Sequence, residues 1–159
     1  MSLMAHLISD EIISAIKDGN HIFIIGNGGS SQMANHFAGE MVAKFEKDRR
    51  ALPFHSLCTD VATITAIAND MDYSKIFRRQ LEAFAKKGDV LITLSTSGTS
   101  KNIVEAIWWA RNIKEMKVFE FPTKGNTYEQ NFLKTTAECQ EAHLKLLHQI
   151  SREVENAFS

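Results

Sequence analysis

Residues 89–100 read DVLITLSTSGTS, a short apolar run that passes directly into a loop rich in hydroxyl groups. Residues 22–31 read IFIIGNGGSS and repeat this arrangement with glycines in the loop. Short β-branched runs bounded by turn residues are typical of strands that are covered on both faces. Because each loop leads into a segment with helical periodicity, the two stretches predict strand–loop–helix units of a parallel sheet.

Strands and helices alternate through the rest of the chain. The remaining strands are predicted at 54–58 and 117–121, and 122–131 is predicted to be a loop. Helices are predicted at 3–17, 32–45, 60–68, 73–86, 101–113 and 138–157. This alternation predicts an α/β fold, a three-layer α/β/α sandwich around a central parallel sheet. Since no linker or repeat interrupts the sequence, we expect a single domain over residues 1–159.

Composition narrows the classes of partner. The net charge is -1, and basic and acidic residues are mixed along the chain, so no nucleic-acid ligand is expected. No apolar run approaches the roughly 20 residues of a membrane span. The two cysteines lack a C-x-x-C pattern, and the N-terminus shows no export signal. We therefore expect a cytoplasmic protein without a membrane partner.

The loop at residues 95–100, which is rich in hydroxyl groups and follows the strand at 89–94, is a candidate phosphate site. Ligands of open α/β sheets bind beyond the carboxyl ends of the strands, where helix N-termini present free N–H groups to anions. Gly98 lets the backbone come close to a ligand. Ser95, Thr96, Ser97 and Ser100 add hydroxyl donors. The pattern favours a phosphate monoester over an ordinary capped turn.

The glycine loop at 26–30 has two interpretations. It lacks the Gly-Lys-Ser/Thr ending of a Walker loop, and it does not match G-x-G-x-x-G, which disfavours a dinucleotide. It is either a turn that needs positive φ or a loop that receives the sugar end of the ligand.

Two further pairs carry candidate acid/base or metal chemistry. His36 and Glu40 are four residues apart, so they lie one turn apart on one helix face. Such a pair can hold a metal or exchange protons, or it can be a surface contact. Gln140 and His148 are about 80° and about 12 Å apart on the last helix. To share one ion they have to lean together, or a neighbouring subunit supplies one of them. Alternatively they are a capping amide and a half-buried histidine.

Five motifs, in this order along the chain, resemble those of the SIS-domain phosphoheptose isomerases. The glycine and hydroxyl loops occur in many SIS proteins, whereas the His36/Glu40 pair joined to the helix of Gln140 and His148 is more specific to the sedoheptulose 7-phosphate isomerases. The resemblance covers residues 19–156. The motifs are Gly26-Asn27-Gly28-Gly29-Ser30, His36-Phe37-Ala38-Gly39-Glu40, Asn69-Asp70, Ser95-Thr96-Ser97-Gly98-Thr99-Ser100, and Gln140-Glu141-Ala142-His143 with His148.

The resemblance implies a role for each matching residue. Glu40 and His148 are the implied acid/base pair. The implied zinc ligands are His36, Glu40, Gln140 and His148. The implied substrate-binding residues are Asn27, Gly28, Gly29, Glu40, Asn69, Asp70, Ser95, Thr96, Ser97, Ser100 and Gln140.

The resemblance also implies fold, reaction and assembly. The SIS sheet should have four to five strands here, because the segment 124–140 is shorter than the usual family pattern. The implied reaction is the aldose–ketose isomerisation of sedoheptulose 7-phosphate to D-glycero-D-manno-heptose 7-phosphate through an enediol(ate), in lipopolysaccharide or capsule heptose biosynthesis. The implied assembly is a homotetramer with one zinc per subunit and active sites between subunits.

Two other functions are weighed against the isomerase. One is a non-catalytic SIS regulator that binds a sugar phosphate or a replication initiator. The presence of His36, Glu40 and His148 together speaks against binding alone. The other is a sugar-phosphate-sensing domain, which is usually fused to a DNA-binding or CBS segment, and residues 1–159 contain no such segment.

Overall fold

The central element is a parallel sheet of four strands with the spatial order β2-β1-β3-β4. The computed structural model describes residues 2–159, so Met1 of the predicted domain lies outside the described residues. In the register, Ile24 is the partner of Ser56 on one side and of Ile92 on the other. The strands are β1 (Ile22–Gly26), β2 (Phe54–Ser56), β3 (Val90–Leu94) and β4 (Lys117–Glu120).

Helices cover both faces of this sheet, which confirms the three-layer prediction. Alternate residues of β1 point to opposite faces: Ile24 packs into the core of α1, α2 and α6, and Phe23 into the core of α3, α4 and α5. Each such fully buried side chain contributes about 1.5–3 kcal/mol. The helices are α1 (Leu3–Lys17), α2 (Gly29–Val42), α3 (Val61–Asp70), α4 (Ile76–Phe84), α5 (Lys101–Asn112) and α6 (Thr136–Phe158).

Several helix boundaries differ from the prediction for local reasons. The helix predicted from residue 32 begins at Gly29, because the N–H groups of Ser30 and Ser31 already bond back into the glycine loop. The predicted helix 73–86 opens with a 3₁₀ turn at Tyr73–Lys75. The last helix begins two residues early, at Thr136, where Thr135 and Glu138 form a capping box.

The prediction of a plain loop at 122–131 is wrong. The segment contains a small antiparallel hairpin of β5 (Thr127–Tyr128) and β6 (Asn131–Phe132). Its two-residue turn, Glu129 and Gln130, has φ of 46° and 71°. Such turns normally carry Asn or Gly, so these residues gave no hairpin signal in the sequence.

The strand order locates the functional edge. The chain leaves β1 toward β2 on one side, whereas β3 pairs with β1 on the other side. The order therefore reverses between β1 and β3, and ligands of such sheets bind at the carboxyl ends of the strands at this reversal. Both candidate loops lie there. Among residues 2–159, no helix combines the length and apolar character needed to cross a membrane.

Candidate active site

The glycine loop and the hydroxyl loop are joined by a reciprocal pair of amides. Asn27 Nδ2 donates to Asn102 Oδ1 at 2.9 Å, and Asn102 Nδ2 donates to Asn27 Oδ1 at 2.8 Å. The Tyr73 hydroxyl also donates to Asn27 Oδ1, at 3.1 Å. The side chain of Asn27 thus ties the β1 loop to α5 and to the 3₁₀ turn. Neither Asn102 nor Tyr73 was predicted, because no spacing in the sequence distinguishes them.

The backbone conformation of the glycine loop requires a glycine at residue 28, just before α2. Gly28 has a φ of 54°, in the region that favours glycine. Gly29 lies close to α6, since a Cβ there would be 2.7 Å from Gln140 Nε2 at the tip of that side chain. The positive φ of Gly28 supports the interpretation of this loop as a turn. The loop also packs close to α6 through Gly29 and Gln140.

Two hydroxyls of the second loop shape its backbone. Ser95 Oγ accepts the N–H of Gly98 at 3.0 Å, and Ser97 Oγ accepts the N–H of Thr99 at 3.2 Å. Ser100 is the N-cap residue of α5, but its side chain makes no capping hydrogen bond. The carbonyl of Thr96 accepts the N–H of Lys124 at 2.9 Å. The predicted phosphate residues thus form one ordered loop at the N-terminus of α5.

A crevice opens between this loop and the connection from α3 to α4. Asn69 and Asp70 lie at the exposed end of α3, where the Asn69 amide donates to the Asp70 carboxylate at 2.9 Å. The crevice itself is lined by Asn27, Asp72, Tyr73, Ser74, Ser100, Lys101 and Asn102. The residues that follow Asp70 therefore line this crevice together with the start of α5.

His36, Glu40 and His148 come together where α2 packs on α6. His36 Nε2 lies 2.7 Å and His148 Nε2 lies 3.4 Å from Glu40 Oε1. The two histidine Nε2 atoms are 3.4 Å apart. Glu40 is mostly buried and the two imidazoles are half exposed, so the cluster has a solvent-facing side. The helical spacing of the first two residues is confirmed, and the fold of one chain brings in the third.

The donor set of this cluster fits a zinc ion. Imidazole nitrogens and a carboxylate oxygen are ordinary zinc ligands, bound at about 2.0–2.1 Å. A tetrahedral ion with such bonds holds its ligand atoms about 3.3 Å apart. Two of the three separations are 3.4 Å, and the shorter third is the direct contact of His36 with Glu40.

Gln140, the fourth predicted ligand, approaches the glycine loop. It occupies the first turns of the continuous helix α6 and contacts Gly29, at the beginning of α2. His148 is eight residues further along, about 12 Å by helical rise. The structure brings together His36, Glu40 and His148, three of the four predicted metal ligands.

His143, in the motif with Gln140, has a structural position. It is fully buried, and its Nε2 donates to the carbonyl of Pro122 at 2.6 Å. Burial lowers the pKa of this imidazole, and the hydrogen bond to Pro122 only partly opposes that shift. The contact fixes α6 to the segment after β4.

The segment after α2 folds back over α6 beside the cluster. The buried Glu155 carboxylate accepts the N–H groups of Phe45, Glu46 and Lys47 at 2.9, 2.7 and 2.9 Å. Burial alone would raise the pKa of Glu155, but these three hydrogen bonds and the nearby Arg49 lower it overall. Phe45 in turn stacks on His148, with ring centroids 5.6 Å apart and 24° between the planes.

Comparison with known proteins identifies the family. The SIS domain family matches residues 6–120. The chain is 39% identical over 158 residues to the probable phosphoheptose isomerase of Thermoplasma acidophilum, covering 95% of this chain and 87% of that protein. It is 38% identical over 148 residues to the phosphoheptose isomerase of Geotalea uraniireducens, covering 89% and 78%.

Solved structures agree with this assignment. A phosphoheptose isomerase from Francisella tularensis superposes with a TM-score of 0.86 at 30% identity, over 96% of this chain and 85% of that one. One from Neisseria gonorrhoeae superposes with a TM-score of 0.82 at 29% identity, over 96% and 85%. The predicted resemblance is confirmed: the chain belongs to the SIS domain family and, within it, to the phosphoheptose isomerases.

Proposed function

We propose that this isomerase interconverts sedoheptulose 7-phosphate and D-glycero-D-manno-heptose 7-phosphate. The observation that carries the proposal is the convergence of His36 and Glu40 of α2 with His148 of α6, a helix that begins against both loops. At that beginning, Gln140 contacts Gly29, and Cys139 Sγ lies 4.0 Å from the Thr96 carbonyl oxygen. A sugar phosphate can therefore be held by the loops and reach the acid/base groups.

The reaction moves one proton between C1 and C2 and another between their oxygens. Glu40 takes the carbon proton and returns it to the neighbouring carbon, which passes the substrate through an enediol(ate). His148 serves the oxygens. The hydroxyl loop, at the N-terminus of α5, holds the phosphate and fixes which carbons face Glu40.

We propose that zinc is held by His36, Glu40 and His148, one ion per subunit. Gln140 is the fourth proposed ligand. When bound, zinc supplies a Lewis acid for the carbonyl oxygen. The N/O donor set and its spacing support this assignment.

The decisive experiment is an isomerase assay on a panel of ketose phosphates, with and without added zinc. We expect turnover of sedoheptulose 7-phosphate that chelators reduce and zinc restores. Sugar-phosphate binding without turnover on any member of the panel would favour the non-catalytic regulator instead.

The hydroxyl loop is tested separately with Ser97→Ala. Anchoring of the phosphate is mostly uniform binding, so KM should rise about 12- to 160-fold, the equivalent of one hydrogen bond to a charged group, while kcat changes less. Ser14→Ala, at an exposed hydroxyl on α1, is the matched control. A fall in kcat at unchanged KM would show that the phosphate is not anchored by this loop.

We propose a homotetramer with active sites between subunits. Exposed apolar side chains support association: Leu3 and Leu7 are 73% and 55% exposed on α1, and Trp108 is 53% exposed on α5. Light scattering at micromolar concentration should give about 72 kDa, four times the 17.9 kDa of the chain. A monomeric mass would exclude shared sites.

We place the enzyme in the cytoplasm, in the supply of heptose for lipopolysaccharide or capsule. Two free thiols, Cys58 and Cys139, are compatible with a reducing compartment. The substrate is a small sugar phosphate, and neither nucleic acid nor membrane is a proposed partner.

A further inference from the structure

The carboxylate of Glu40 has a second contact, away from the histidines. Ser151 Oγ donates to Glu40 Oε2 at 2.9 Å, whereas both histidines face Oε1. Ser151 is fully buried. The two carboxylate oxygens therefore have different partners, one buried hydroxyl and one pair of half-exposed imidazoles.

The position of Ser151 on α6 gives it this reach. It is three residues after His148, so both side chains lie on the helix face that meets α2. A helical serine often bonds to the carbonyl four residues earlier. Here the hydroxyl bonds across to the neighbouring helix instead.

The backbone of Glu40 is held independently of its side chain. Arg49 Nη2 donates to the Glu40 carbonyl oxygen at 2.6 Å, and a second Arg49 nitrogen, Nη1, donates to Ala43 at 3.0 Å. Arg49 thus fixes the end of α2. These contacts do not restrict rotation of the Glu40 carboxylate. The hydrogen bond from the Ser151 hydroxyl does restrict it.

We propose that Ser151 is a positioning residue for Glu40, holding Oε2 so that Oε1 faces His36 and His148. This inference rests on the proposed function of Glu40. A hydrogen-bond partner of a ligating or catalytic carboxylate usually changes metal affinity or activity by about 10- to 100-fold when it is removed. Ser151 touches neither the substrate nor the proton in this scheme, and it acts through Glu40 alone.

The test compares Ser151→Ala with Ser9→Ala. Ser9 is also a fully buried helical serine, but its hydroxyl has no hydrogen-bond partner within residues 2–159. We expect Ser151→Ala to lower kcat about 10- to 100-fold without raising KM for the sugar phosphate. Zinc affinity of the metal-free protein, measured by competition with a chromophoric chelator, should fall by a similar factor. Ser9→Ala should match the wild type in both.

A third variant guards against a simple folding defect. Ser151→Cys keeps the size of the side chain and a weak donor, so its kcat and zinc affinity should lie between those of the wild type and Ser151→Ala. Wild-type kcat and zinc affinity in Ser151→Ala would overturn the inference and leave the isomerase function standing. An inactive wild type whose zinc affinity still depends on Ser151 would overturn the function and support the positioning role.

Discussion

Glu40→Gln should lower isomerase turnover by at least the roughly 10²–10⁴-fold typical of a lost general base. The substitution keeps the size of the side chain and its contact with Ser151, but it removes the charge and the proton-accepting oxygen. Zinc affinity should fall as well, because an amide is a poorer ligand than a carboxylate. Kinetics and chelator competition measure the two effects on one preparation.

A binding measurement and a control variant accompany this prediction. Sugar-phosphate binding should survive, since the hydroxyl loop is unchanged, and isothermal titration with a non-reacting sugar phosphate measures it. Glu115→Gln is the control: its carboxylate pairs with Lys87 on the surface at the other end of the sheet. Such changes usually move stability by less than about 0.5 kcal/mol. Near-wild-type turnover of Glu40→Gln would remove Glu40 from the mechanism.

Glu155→Ala should destabilise the protein by about 3–5 kcal/mol, because it removes a buried carboxylate that accepts three backbone hydrogen bonds and faces the Arg49 guanidinium. Three backbone N–H groups lose their acceptor, and the buried Arg49 guanidinium loses the carboxylate 3.8 Å from its Nε. Urea unfolding measures the free energy. Glu141→Ala, at an exposed position of the same helix, should change it little. Equal midpoints for the two variants would mean that the Glu155 contacts add nothing to stability.

The same carboxylate predicts a pH dependence. Its pKa in the folded protein lies below the ordinary value of 4.5, since hydrogen bonds to the charged form outweigh burial. The stabilisation is therefore fully present above about pH 4.5 and is lost as the pH falls through the lower folded-state pKa. The difference in free energy of unfolding between the wild type and Glu155→Ala should therefore decrease only in this acid range.

The layered fold followed from sequence, but its irregular part did not. The runs at 22–26 and 90–94 are apolar on both faces, as expected of covered parallel strands, and their alternation with helical segments predicted the fold class. The hairpin at 127–132 was missed, because Glu129 and Gln130 adopt positive φ through tertiary contacts such as the Lys145–Glu129 ion pair.

The candidate site also contains residues that the sequence predicted and residues that it did not. Helical spacing predicted that His36 and Glu40 share a face, since that depends on one helix alone. The approach of His148 depends on how α6 packs against α2, and only the family resemblance anticipated it. Ser151 and Asn102 were missed, because a serine or asparagine in a helix has no pattern that reveals a partner on another element.

The two halves of the site belong to different faces of the sheet. The hydroxyl loop leads into α5, which packs with the core of α3 and α4, whereas Glu40 and His148 lie on α2 and α6, which pack with α1. A substrate with its phosphate in that loop and its carbonyl at Glu40 has to bridge the rim of the sheet from one side to the other. If the proposed function holds, this span sets the number of carbons between phosphate and carbonyl, and a sugar of a different chain length should be a poorer substrate.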